Sequence, residues 1–167
     1  MTGVTVRAEK TGFWRSHYAV TLDGRPAATF DSSTWRGGGT FETRDGRSYR
    51  VVARRFGSHY ELCRVLGSDD VLSEPLAVAE RVGRRNWSIS ESDGTTYRFR
   101  RRSFWGSEQD LLGPDGMPVG EVRRLSVWRG GARAELPRMA EELQVFVVAV
   151  VICMWDAQAA GATAAAG

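Results

Sequence analysis

The stretch Leu143–Gln158, LQVFVVAVVICMWDAQ, decides how this chain folds. Eleven consecutive residues, Val145 to Trp155, are apolar, and Asp156 closes the run. As a helix the run is about 16 Å long at ~1.5 Å per residue, roughly half the hydrocarbon thickness of a bilayer. Glu141 and Glu142 lie just before it, and no basic residue beyond Arg138 flanks it to set an orientation. The expectation is therefore a protein core and no transmembrane span. Pro137 suits the first position of a helix, and the two glutamates suit its electropositive first turns. Gly161 suits its end. The expected helix covers about residues 137–160, followed by a disordered Ala/Gly tail at 161–167. A buried strand competes, because Val145, Val147, Val148, Val150, Val151 and Ile152 are β-branched. The length of the run and its caps favour the helix.

A helix apolar around its whole circumference must be enclosed on every side. Val145, Phe146, Val148, Val151, Ile152 and Trp155 are the candidate core of that helix, and residues 4–136 must supply the wall. They read as strands. Asp-Gly pairs at Asp23-Gly24, Asp45-Gly46, Asp93-Gly94 and Asp115-Gly116 mark hairpin turns. Between them apolar residues alternate: Tyr18, Val20 and Leu22 before one turn, Ala28 and Phe30 after it, Tyr97 and Phe99 in TTYRFRRR. SYRVVARR and MPVGEVRRLSVW behave likewise, and nothing before residue 136 keeps helical periodicity over eleven residues. The expected fold is mainly β: a closed antiparallel barrel of about twelve strands enclosing a hydrophobic C-terminal α-helix, one domain over residues 1–160. WRGGGTF reads as a flexible connection or bulge. A shift of 70 residues superimposes Asp23 and Asp45 on Asp93 and Asp115, and Trp35 on Trp105. Duplication and chance explain that coincidence equally well.

With 167 residues, 42% apolar and 26% charged, the chain has the composition of one soluble globular domain. The net charge of +3 is unevenly spread, with twelve arginines against seven acids in residues 81–138. Lys10 is the sole lysine. Codon bias explains that skew more simply than selection for phosphate recognition. Cys63 and Cys153 suggest no disulfide framework, and MTGVTVRAEK lacks the pattern of a secretory signal, so a reducing cytoplasm is expected.

If YRFRRR is a strand, Arg98, Arg100 and Arg102 leave one face while Tyr97 and Phe99 enter the core. Arg84, Arg85, Arg123 and Arg124 extend the patch if neighbouring strands bring them close. The plain reading is a solvated outer face balanced by acids on adjacent strands. The sharper one is a site for anionic lipid phosphates. A net charge of +3 is too small a footprint for a nucleic-acid partner. His17, His59 and Cys63 lack zinc spacing, and Asp69-Asp70 reads as a turn rather than a calcium loop. There is no Gly-x-Ser-x-Gly, no phosphate-binding loop and no paired acid and base. Neither a cofactor, a metal nor an enzymatic activity is expected.

NWSISESDGTTYRFRRRSFWGSEQDLLGPDGMPVGEVRR, followed by AELPRMAEELQVFVVAVVICMWD, places a Trp-bearing strand, an aromatic-basic strand, DLL, a Gly-Pro-Asp-Gly turn, VGEV and an LP-led apolar helix in one order. That order resembles the tubby C-terminal-like superfamily, most of all bacterial LURP-one-related proteins and more distantly phospholipid scramblases. The likeness covers residues 86–156 and reaches the first half only through YELCRVLGSDDVLSEPLAVAER. It implies a twelve-stranded barrel around a hydrophobic helix. The residues and the likeness together lead to the expectation of a non-enzymatic binding or scaffolding module, cytoplasmic or membrane-associated, with an anionic membrane surface or another protein as partner. A small-molecule binder or enzyme with a pocket at the barrel mouth, and a ligand-free interaction protein, are the alternatives. The Asp-x-Asp and cysteine-rich segments of scramblases are missing here.

Overall fold

The computed structural model of the chain describes residues 4–11, 17–33, 38–104, 106–126 and 130–165. Trp35 and Trp105, which support the 70-residue repeat, lie outside them, as does Trp128. The strands are β1 (Thr5–Thr11), β2 (His17–Leu22), β3 (Arg25–Ser33), β4 (Gly38–Thr43), β5 (Ser48–Arg54), β6 (His59–Leu66), β7 (Val71–Leu72), β8 (Ala77–Glu80), β9 (Asn86–Glu91), β10 (Thr96–Arg101), β11 (Gln109–Leu112), β12 (Pro118–Arg124) and β13 (Ala132–Glu135). One helix follows, α1 (Glu141–Ala165). Apart from the two-residue β7, each strand pairs antiparallel with its sequence neighbour, and β1 pairs with β13 to close the ring. The result is a closed antiparallel barrel of twelve strands around one mostly buried helix.

The Asp-Gly pairs turn the chain as their chemistry predicts. Gly24, Gly46, Gly94 and Gly116 have φ between 78° and 93°, a region open to glycine at no steric cost. Asp93 Oδ1 accepts the Thr95 N–H at 2.8 Å and Asp115 Oδ1 accepts the Met117 N–H at 3.0 Å, each carboxylate holding the backbone two residues on. The WRGGGTF expectation needs correction: Gly38 and Gly39 belong to β4. A β-carbon at Gly39 would strike the Asp31 carbonyl and the Phe30 ring, so glycine is there to let two strands and an aromatic ring close up.

Inside the wall, every residue of α1 from Leu143 to Trp155 is buried, about 20 Å of helix at ~1.5 Å per residue. Val145, Phe146, Val148, Val151, Ile152 and Trp155 are all among them. A helix prevails here over the β-propensity of its valines because a closed barrel has no free strand edge. A central strand would bury unpaired N–H and C=O groups, whereas a helix satisfies its own. Ala8, Ala132 and Ala134 line the wall where β1 meets β13, and their small side chains let the helix approach.

The helix bounds differ from the expected ones at both ends. Pro137 and Arg138 form a turn, with Arg138 at φ 67°, and the first helical hydrogen bond runs from the Gln144 N–H to the Ala140 carbonyl. At the far end Gly161 does not stop the helix, which continues solvent-exposed to Ala165. Alanines on both sides of Gly161 offset its helix-breaking tendency. By length and composition, the 25-residue helix is therefore able to cross a membrane, contrary to the short span inferred from the apolar run alone. In this fold its apolar half is spent on the barrel interior.

Candidate functional site

Alternation of antiparallel strands gives the barrel two mouths. The entry mouth, where α1 begins, carries the Asp23-Gly24 and Asp45-Gly46 turns and the corresponding turns after β9 and β11. The exit mouth carries the β8–β9 turn and the β10–β11 and β12–β13 connections. There the Trp155 indole N–H donates to the Ser107 carbonyl at 3.2 Å.

The seven arginines singled out in the sequence are not gathered into one patch. Arg98 and Arg100 point outward from β10. Arg98 Nη2 donates to the Gly113 carbonyl at 3.0 Å, at the entry end of the wall. Arg102 lies just past the end of β10, and its guanidinium is occupied by three carboxylates: Asp110 at 2.6 Å, Glu121 at 2.7 Å and Glu108 at 2.8 Å. The hydrogen bonds that Arg102 donates to Asp110 and Glu121 hold it further above its already high range, so it stays charged at any working pH. Asp110 is only 4% exposed beneath it. The three guanidiniums therefore form no free row.

Further along the same wall, Arg123 of β12 pairs with Glu121, the carboxylate that also holds Arg102, and its cross-strand neighbours repeat the arrangement. Arg133 pairs with Glu135 at 2.9 Å and Arg7 with Glu9 at 2.6 Å, so three adjacent strands present Arg beside Glu on a self-neutralising face. Arg124 turns the other way. Its guanidinium sits 4.8 Å from the centroid of the Trp155 ring, a cation–π contact at the exit of the helix.

Arg84 and Arg85 occupy the exposed β8–β9 turn with Arg81, and the Arg101 N–H donates to the Arg85 carbonyl at 2.8 Å, joining that turn to the end of β10. Arg85, Arg101, Arg102, Ser103 and Phe104 line a cavity of about 160 Å³. Arg101 stands 5.7 Å from the centroid of Phe104, and its Nε is buried without a hydrogen-bond partner. Phe104 is 76% exposed, the most exposed large apolar side chain among the described residues. Arg81, Arg84, Arg85 and Arg101 form no salt bridge to a described carboxylate. Sequence reasoning missed Arg101, Arg81 and Phe104. Strict alternation sends Arg101 inward with Phe99, but at the last position of a strand an inward side chain can turn over the rim. The signal was present as an arginine on the apolar parity of YRFRR.

Asp156 is half-buried at the exit mouth. Burial pushes its carboxyl up, while Lys10 and Arg124 oppose the shift. Burial, with a smaller contribution from Asp156, pushes the Tyr18 hydroxyl and the Cys153 thiol up to about 12 and raises the Tyr60 hydroxyl as well. None of the three supplies a nucleophile at neutral pH. His59 lies between Glu61 at 3.4 Å and Glu80 at 3.8 Å on the outer wall, and Asp70 pairs with Arg50 at 3.1 Å in the β6–β7 turn. Among the described residues no three His, Cys, Asp or Glu side chains cluster in a way that could hold a metal ion.

Comparison with known proteins gives no match: no protein-family model, no curated protein and no solved structure matches this chain.

Proposed function

We propose that this protein is a non-enzymatic, tubby-like binding module, cytoplasmic and docking reversibly on anionic membrane surfaces. The docking element is the exit rim formed by Arg81, Arg84, Arg85, Arg101 and Phe104, not the outer face of β10. The observation that carries the reading is the small cavity between Arg85 and Arg101, with an exposed phenylalanine on its border. Unpaired guanidiniums recognise lipid phosphates bidentately, and an aromatic ring at the same edge enters the headgroup region. A twelve-stranded barrel around an apolar helix supports the tubby likeness in architecture.

The magnitudes suit a reversible partner. Four arginines near an anionic surface contribute about 1 kcal/mol each, and insertion of Phe104 about 2 kcal/mol. The total of ~6 kcal/mol corresponds to a dissociation constant on the order of tens of micromolar. Co-sedimentation with vesicles of phosphatidylcholine alone or mixed with phosphatidylserine tests the idea. Binding only to the mixed vesicles, weakened by salt and by Arg101→Ala or Phe104→Ala but not by Arg98→Ala, is the expected result. Equal binding to both vesicles, no binding, or equal sensitivity to Arg98→Ala and Arg101→Ala would overturn it.

A further inference from the structure

At the entry mouth, opposite the proposed docking rim, lies a larger cavity of about 620 Å³. Its apolar floor includes Leu22, Ala27 and Tyr49, the last two almost fully buried. Its lining includes Arg25 from β3, Arg44 and Arg47 from the β4–β5 turn, and Glu141 and Glu142 from the first turn of α1. The remaining carboxylates there are engaged by the turns. Asp23 accepts the Thr5 N–H at 2.8 Å, and Asp45 pairs with Arg47 at 3.0 Å. That leaves two cations, Arg25 and Arg44, and two anions, Glu141 and Glu142, with no salt bridge to any described residue. No salt bridge closes across the cavity between these opposite charges, although the Tyr49 hydrogen bond, the Asp45 charge and, more weakly, the Glu142 charge hold the Arg47 guanidinium raised.

We propose that this cavity binds a small zwitterion: a molecule with a carboxylate or similar anion at one end, an ammonium group at the other and a short apolar middle. A simple anion would meet Glu141 and Glu142, whose charge the positive end of the helix dipole stabilises. A simple cation would meet Arg25 and Arg44. Only a dipolar ligand satisfies both sets of charges, with its hydrocarbon over Leu22 and Tyr49. The anionic end takes the planar guanidinium fork of Arg44, and the ammonium takes Glu142. The site is independent of the rim and survives if membrane docking fails.

Isothermal titration calorimetry of the full chain with ω-amino acids from β-alanine to 6-aminohexanoate tests the proposal. Pentanoate and pentylamine serve as matched single-charge controls. At least one ω-amino acid is expected to bind about tenfold or more tightly than either control, since each lost charge-assisted contact is worth that factor. Arg44→Ala and Glu142→Gln, both at solvent-accessible positions that leave the core intact, are each expected to weaken that binding by about tenfold. Arg101→Ala, at the far mouth, leaves it unchanged. Binding by none of the series, equal binding of the single-charge controls, or indifference to both entry-mouth variants would overturn the proposal.

Discussion

Val148 is 1% exposed at the middle of the enclosed segment, and of its neighbours one turn away along the helix Val145, Val151 and Ile152 are apolar while Gln144 is polar. Val148→Asp removes about 2 kcal/mol of apolar burial. It also buries a carboxyl group among mainly apolar side chains, with the Gln144 side chain the one polar group a turn away, which costs about 3 kcal/mol even after the group takes up a proton. The loss of ~5 kcal/mol is comparable with the whole stability of many domains. Val148→Ala supplies a graded companion at about 2 kcal/mol, and Ala159→Asp places the same carboxylate on the exposed part of the same helix, where about 0.5 kcal/mol is expected. Urea unfolding followed by tryptophan fluorescence reads all three, since Trp87 and Trp155 are buried and report the core directly. With a slope of ~2 kcal/mol per molar, the midpoint falls by about 1 M for Val148→Ala and about 0.25 M for Ala159→Asp. Val148→Asp loses ~2.5 M or does not fold. Equal midpoints for Val148→Asp and Ala159→Asp would refute the enclosure.

Arg102→Ala strips the nearly buried Asp110 of its counter-ion and is expected to cost about 2 kcal/mol, held to that size by the 41% exposure of the guanidinium; Asp110→Asn in the same background restores part of it. Burial tends to raise Glu121, but hydrogen bonds from Arg102 and Arg123 outweigh it and hold the carboxyl low, so the wild-type advantage over Arg102→Ala is full above the ordinary glutamate range and is lost as pH falls through the lowered folded value in urea titrations. Asp156 carries the opposite sign: burial raises it, the folded state keeps its proton to higher pH than the unfolded chain, and stability from this group declines as pH rises through the folded value. Asp156→Asn is therefore expected to melt higher than wild type at pH 7 and alike at pH 3, and a lower melting point at pH 7 would show that Lys10 and Arg124 dominate instead.

The barrel and its enclosed helix were legible because both follow from local signals: four Asp-Gly turns, alternation of Tyr, Val and Phe with polar residues, and eleven apolar residues without a polar stripe. The helix ends were not. Arg138 takes a left-handed conformation that no propensity predicts, and Gly161 is carried through by the alanines around it. The arginines show the limit most clearly. Their two-residue spacing on β10 placed Arg98 and Arg100 correctly on the outer face, yet Arg102 belongs to three carboxylates, two of them on β11 and β12.

By itself, then, the sequence determined the class of fold, through short-range turn chemistry and the demand that a uniformly apolar helix be walled in. Which charges remain available to a partner was decided only by tertiary structure. An ion pair depends on strand register and on where a strand ends, and those are set by closure of the whole ring. That closure spends Arg102 on a buried carboxylate and turns Arg124 over Trp155. It leaves Arg85 and Arg101 together at a rim, beside a phenylalanine that no local pattern singles out.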